Sequence, residues 1–352
     1  MAGVKYSIGK LSSCLKVKYL TIKTILGDEF LNDWNGGYDI YLDLNSLLKS
    51  ASGSAKYLQG IPFADNVEAD MVNTILETLL HWKNFTRRKY ENVRIFLLWN
   101  NTEMICSPER EIINSYLLPY QQKFSQDRFA QLVYSWTESI KIVQNILNFV
   151  PNSYLIRCTR ADSFIVPEIV RSLTPVLSKR IIVSSSPIFT QYMFEPDTKV
   201  IYTRYIHTGM QQISNPIDIT KAISHIDEPI MEQFTKSKVF YGALNAIVGD
   251  FDRGLIGVTN AGITKLSADI LRGVEKREIP ADPKSIDSIM YVMNPNVQEY
   301  IKRAFMLIDI KSHLNLIPES VKLKVKEQMI DKYDVDSLAK LSVEGMNLLE
   351  LL

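Results

Sequence analysis

Histidine and cysteine are scarce. The 352 residues hold four histidines (His81, His207, His225, His313) and three cysteines (Cys14, Cys106, Cys158), none at metal-ligand spacing. So few and scattered thiols exclude a disulfide framework and read as free cysteines of a reducing compartment. An excess of one charge is missing too. Forty Lys and Arg against 39 Asp and Glu leave a net +1, so no global field draws the chain to nucleic acid. No apolar run reaches the ~18 residues that span a bilayer. Lysines interrupt the opening MAGVKYSIGKLSSCLKVKYLTIKTILG too often for a signal peptide. The expectation is a soluble, cytoplasmic protein with no membrane span.

What is present suffices for a substantial core, with 46% hydrophobic and 22% charged residues. Residues 1–37 show no period and end in the turn cluster NDWNGG. Beyond them, apolar runs alternate with helical patterns. YDIYLDLNSLL (38–48) reads as a strand feeding a helix, and Val67, Met71, Ile75, Leu79 and Trp82 recur at helical spacing over 67–90. VRIFLLW (93–99), SYLIRC (153–158), KRIIVS (179–184) and KVIYTRY (199–205) read as further strands. Residues 107–150 look helical with a break at Pro119, and 184–186 look like a turn into a helix. Beyond 238 the pattern is helical, with glycine-rich turns and no strong strand. Strand–helix alternation predicts an α/β fold with a doubly wound, mainly parallel sheet.

In such a sheet, working residues gather at the C-terminal strand ends. Strand one ends on Asp43 and strand two on Asn100. Strand three leads to Arg160, Asp162 and Ser163, and strand four to Ser186 and Ile188. NAIVGDFDRGLIGVTNAGITKL (245–266) adds Asp250 and Asp252 before a glycine-punctuated turn.

The segments YLDLN, LWN, RADS, SSSPIFTQ and GDFDRGLIGVTNAG, in this order, resemble the motifs of the flap endonuclease and 5′-nuclease superfamily, particularly its phage RNase H-like branch. In that family strand one ends in Asp, strand two in FD, the third helix opens with EADD, strand four precedes SxDKDxxQ, and GDxSDNIPGVPGIG follows. Ser184 and Gln191 keep the family's Ser–Gln spacing, which puts Ser186 and Ile188 where two metal-binding Asp residues belong. MLIDIKSHLNLIP (306–318) resembles a phage-type C-terminal stretch.

The resemblance implies three regions: an extension over 1–37, a 5′-nuclease-type α/β domain over 38–240 with an arch-like insertion at 107–150, and a helical region over 241–352 with a hairpin-like turn at 254–266. Family enzymes hold two divalent metals in a dense carboxylate cluster. This chain keeps Asp43, Asp162, Asp250 and, matching loosely, Asp252. It places Asn100, Arg160, Ser163, Ser186 and Ile188 at the other positions. Isoleucine cannot ligate Mg²⁺, and arginine sets a fixed cation where the metals would sit. The expectation is therefore a degenerate site with no cofactor, or Mg²⁺ if one metal is retained. The surviving carboxylates are alternatively helix caps or partners of Arg160.

Nucleic acid has two candidate contacts, Arg87, Arg88 and Lys89 in KNFTRRKYENVR, and Gly257, Gly262 and Lys265 in the turn. A solvated helix face is the default reading of the first, and a plain interhelical turn explains the second as well. The arch-like insertion is aromatic and low in charge, with Tyr116, Leu117, Tyr120, Phe124, Phe129, Tyr134 and Trp136, a surface suited to docking protein. The tail YDVDSLAKLSVEGMNLLELL (333–352) fits core packing or a docking helix. The leading expectation is a pseudo-nuclease acting as a protein-interaction adaptor inside a phage-infected bacterium. A non-cleaving nucleic-acid binder and a residual one-metal 5′-nuclease are the alternatives.

Overall fold

The computed structural model describes residues 26–31, 36–51, 62, 66–87, 92–100, 126–148, 150–158, 162–174, 178–184, 186–206, 209–213, 237–250, 255–256, 258–259, 263–278, 282, 284–290 and 294–329. Its centre is one six-stranded sheet. The strands are β1 (Tyr38–Asp43), β2 (Val93–Asn100), β3 (Ser153–Cys158), β4 (Lys179–Ser184), β5 (Thr198–Ile206) and β6 (Gly209–Ile213), in the order β3-β2-β1-β4-β5-β6. The first five run parallel, and β6 turns back antiparallel on β5. The α/β, doubly wound, mainly parallel sheet expected from the alternation is thus the fold observed.

Every residue of β1 is buried, as a central parallel strand covered on both faces requires. Its side chains alternate between two cores. Ile40 and Leu42, with Ile95, Leu97, Ile181 and Val183, meet the helices α1 (Leu44–Ala51), α2 (Val67–Arg87) and α3 (Gln126–Leu147). On the other face Tyr41, Phe96, Ile156 and Ile182 meet α4 (Val166–Leu173) and α5 (Lys238–Val248), together with α6 (Ile263–Glu275), α7 (Ile286–Met290) and α8 (Pro295–Ile308). The C-terminal helices therefore share a core with the sheet. α9 (Ile310–Leu316) and α10 (Glu319–Gln328) follow.

Part of the N-terminal extension belongs to this structure. Leu26, Phe30 and Leu31 are buried, and Tyr38 Oη donates to the carbonyls of Phe30 and Leu31 at 3.2 and 3.3 Å. Gly37 lets the chain enter β1, because a Cβ there would stand 2.7 Å from the Asn92 carbonyl. That carbonyl accepts from Tyr38 N–H at 2.8 Å.

Three sequence expectations change. The segment after β4 is a 3-10 helix (Pro187–Phe194). The β5–β6 hairpin was not foreseen. Trp136, expected to dock a partner, is 4% exposed in the core beside Ile140 and Val143, while Tyr134 on the same helix is 63% exposed. The break at Pro119 falls outside the described residues.

Candidate functional site

The strand order places a topological switch point between β1 and β4. From β1 the chain winds outward through β2 and β3, then returns to the other side of β1 to lay down β4. Crevices at such points, outside the C-terminal strand ends, are where doubly wound sheets take ligands. Asp43 ends β1 and Ser184 ends β4, one step past the paired Leu42 and Val183.

A chain of hydrogen bonds closes this edge. Ser184 Oγ–H donates to Asp43 Oδ2 at 2.5 Å, and Ser186 N–H donates to Ser184 Oγ at 2.9 Å. Asp43 Oδ1 accepts from Asn45 N–H at 3.1 Å, the bond by which a residue before a helix caps its first turn, here of α1. Asn45 Oδ1 accepts from Asn100 N–H at 2.9 Å, and Asn100 Oδ1 accepts from Ser163 N–H at 3.0 Å. The last bond caps a 3-10 turn (Asp162–Ile165) that leads into α4. All six residues are buried. The ends of β1, β2 and β4 and the first turns beyond them are thus joined by one polar belt. The orientation of Asp43 follows: its two oxygens face donors on opposite sides.

Below the belt, Ile188 is fully buried in the apolar core. Gln191 is buried one turn on. Its Nε2 donates to the carbonyl of Ile308 at 3.0 Å, and its Oε1 accepts from Ile310 N–H at 3.4 Å, tying the 3-10 helix to α8 and α9.

No protein-family model and no curated protein sequence matches the chain. Among solved structures it is similar to a bacteriophage T5 flap endonuclease pseudo-enzyme–product complex with DNA and metal ions, at 13% identity and TM-score 0.43 over 89% of this chain and 99% of that one. A T5 protein co-crystallised with metal ions gives the same values, and a T5 5′-exonuclease with bound zinc gives 12% and 0.42 over the same shares. The fold rests on the strand order.

The described residues do not fit a two-metal centre. Such a centre needs several carboxylates with free oxygens. Here the one described carboxylate of the belt, Asp43, has both oxygens engaged by donors. Asn100 is neutral with its acceptor taken, Ser163 and Ser186 contribute backbone donors to the belt, and Ile188 has no donor atom. Among the described residues no group of three or more His, Cys, Asp and Glu is placed to hold a metal.

The remaining sequence candidates are less fully placed. Asp162 opens the 3-10 turn and Asp250 lies in the two-residue strand Gly249–Asp250, but neither side chain is described. The same holds for Arg87 in α2, Phe129 in α3 and Lys265 in α6. Arg160, Asp252, Arg88, Lys89, Gly257, Gly262, Tyr116, Leu117, Tyr120 and Phe124 lie outside the described residues, as does the tail 333–352. Asn45 was missed. Its signal is the spacing Asp–x–Asn directly after an apolar strand, a capping pattern.

At the opposite end of the strands lies a second polar cluster. Arg94 grips Asp39 through two bonds of 2.8 Å. Arg180, 1% exposed, donates to Glu168 at 2.5 Å and Asp197 at 3.4 Å, and Arg171 reaches Asp197 at 3.2 Å. Burial raises the Asp39 carboxyl above its ordinary value against the pull of Arg94. Burial also works against the Arg180 charge, and the bonded Glu168 carboxylate outweighs it, so the guanidinium is held above its usual value. Each charge has an opposite partner, which suits a brace between α4 and the sheet.

Proposed function

We propose that this chain is a non-cleaving protein of 5′-nuclease type that works as an adaptor, recruiting, sorting or positioning other proteins. The observation that carries the reading is the closed belt. Where nucleases of this type hold two cations, the described positions offer one carboxylate with both oxygens bonded, together with Asn100, Ser163, Ser186 and Ile188. A cation there would have to displace the Ser184 and Asn45 donors and still lack carboxylates around it. The brace at the far end and the Gln191 tie keep the scaffold rigid without a metal. Protein docking draws support from Tyr134 and Ile142, which stand 63% and 45% exposed on α3.

The test is a Mg²⁺ and Mn²⁺ titration with a labelled 5′-flap DNA, reading binding and cleavage together. The adaptor reading expects neither. Binding without cleavage assigns a nucleic-acid module, which charge reversal at Arg87, Arg88 and Lys89 should then weaken in a salt-dependent manner. Metal-dependent cleavage abolished by Asp43→Ala assigns a residual one-metal nuclease, with Asp43, Asp162, Asp250 and Asp252 as its ligands, and overturns the proposal.

A further inference from the structure

Among the described residues the outer edge of β3 pairs with no strand, and at the exposed Arg157 a side chain occupies it in the manner of a neighbouring strand. Arg157 N–H donates to Gln328 Oε1 at 2.7 Å, and Gln328 Nε2 donates back to the Arg157 carbonyl at 3.4 Å. A carboxamide is chemically a peptide group, and this exchange of both bonds with one residue is what a paired strand makes. Gln328 is the last residue of α10, and its Nε2 also donates to the Lys324 carbonyl of its own helix at 3.1 Å. Val325 is the one buried residue of α10, so the helix that delivers the amide is lightly seated.

The rest of the edge follows from parity. Ile95 N–H donates to the Asn152 carbonyl and Ile95 pairs with Ser153, so Asn152, Tyr154 and Ile156 turn their backbone groups toward β2. Ser153, Leu155 and Arg157 turn theirs outward. This row is self-complementary. Two β3 strands set antiparallel about Leu155 would match Leu155 with its own copy, and Arg157 with Ser153 of the other chain. That register puts a small neutral residue opposite each arginine and avoids the like-charge pairing that destabilises cross-strand neighbours.

We propose that the outer edge of β3 is a strand-pairing surface for a second copy of this chain, and that Gln328 keeps it shut. In the monomer the carboxamide fills the last of the three outward positions, at Arg157. When the end of α10 lifts, β3 of two copies pair edge to edge into a continuous sheet. The inference does not depend on the adaptor reading, because it rests on the outward backbone groups of β3, whereas the belt meets the sheet through the Asn100 backbone and side chain on β2.

The test compares the wild type with Gln328→Ala across a concentration series, by sedimentation and amide hydrogen exchange. Dilute Gln328→Ala should exchange the Arg157 amide about tenfold faster than wild type. At high concentration it should dimerise, with protection returning at Ser153, Leu155 and Arg157 together. Adding Arg157→Pro to Gln328→Ala removes the outward N–H at an edge, where proline is tolerated, and should restore the monomer. A Gln328→Ala protein that stays monomeric at every concentration overturns the proposal. So does a dimer whose β3 amides stay unprotected, or one that persists with Arg157→Pro.

Discussion

Ser184 Oγ–H donates a hydrogen bond to Asp43 Oδ2 at 2.5 Å, joining the ends of the two strands that flank the switch point. Both residues are buried, at 1% and 4% exposure, so neither oxygen can exchange its partner for water at little cost. The bond is one link of a belt in which the Asp43 carboxylate accepts from β4 on one side and caps α1 on the other. By its bonding, this end of the sheet is closed by a polar seam.

If the seam is structural, removing one link costs stability and not activity. Ser184→Ala removes the hydrogen bonds to Asp43 Oδ2 and from Ser186 N–H, and should destabilise by about 1–3 kcal/mol in denaturant unfolding. Asp43→Ala loses the α1 cap as well and should cost more than Ser184→Ala. A rise in stability on adding Mg²⁺ to wild type, abolished by Asp43→Ala, would instead mark Asp43 as a ligand.

Restoring a carboxylate at the Ile188 position should fail for the same physical reason. Ile188 is 1% exposed among apolar neighbours, so Ile188→Asp places an unpaired charge in a packed core. The variant should lose at least about 3 kcal/mol at neutral pH and recover part of it on acidification, as the carboxyl takes up a proton. Recovery by Mg²⁺ at neutral pH, in place of recovery by acid, would indicate a cation seat within reach.

The brace at the other end of the sheet has its own signature. Arg180→Met strips the cation from Glu168 and Asp197 and should cost about 3–5 kcal/mol. The two carboxylates keep roughly a quarter of their surface in water, at 25% and 23%, so the lower end is expected. Thermal unfolding of Arg180→Met beside Arg171→Met checks this, because the more exposed Arg171 should matter far less.

The parts of this fold legible in the sequence are those where one chain segment decides the outcome. The runs YDIYLD, VRIFLLWN and KRIIVS could only be buried strands, and they are. GMQQI was not legible, because a five-residue strand with two glutamines at its centre becomes a strand through pairing with β5. Aromatic content alone does not separate a docking face from a core face, and Trp136 lies on the core face. The spacing Trp136, Ile140, Val143 and Leu147 was already a core stripe, and all four are buried. At the site, Asp43, Asn100 and Ser186 were legible as strand ends. The belt that joins them was not, since four of its five donors are the backbone N–H groups of Asn45, Asn100, Ser163 and Ser186, which no residue type announces.

Tyr241 gives a prediction in alkaline solution. It is 4% exposed at the start of α5, with its ring against Phe194 and Phe240, and burial pushes its hydroxyl up to about 12. Between its ordinary value near 10 and that value, the folded chain keeps a proton that the unfolded chain releases. The resulting stabilisation is fully present below pH 10 and is lost as pH rises toward 12, at up to about 1.4 kcal/mol per pH unit. Tyr41, raised well above 10 by burial and by the Asp39 carboxylate, steepens the same decline. Denaturant unfolding of wild type and Tyr241→Phe at pH 8, 10 and 11 separates the two contributions. The phenylalanine variant should lose stability less steeply above pH 10, and parallel declines would mean that the Tyr241 hydroxyl reaches water in the folded protein.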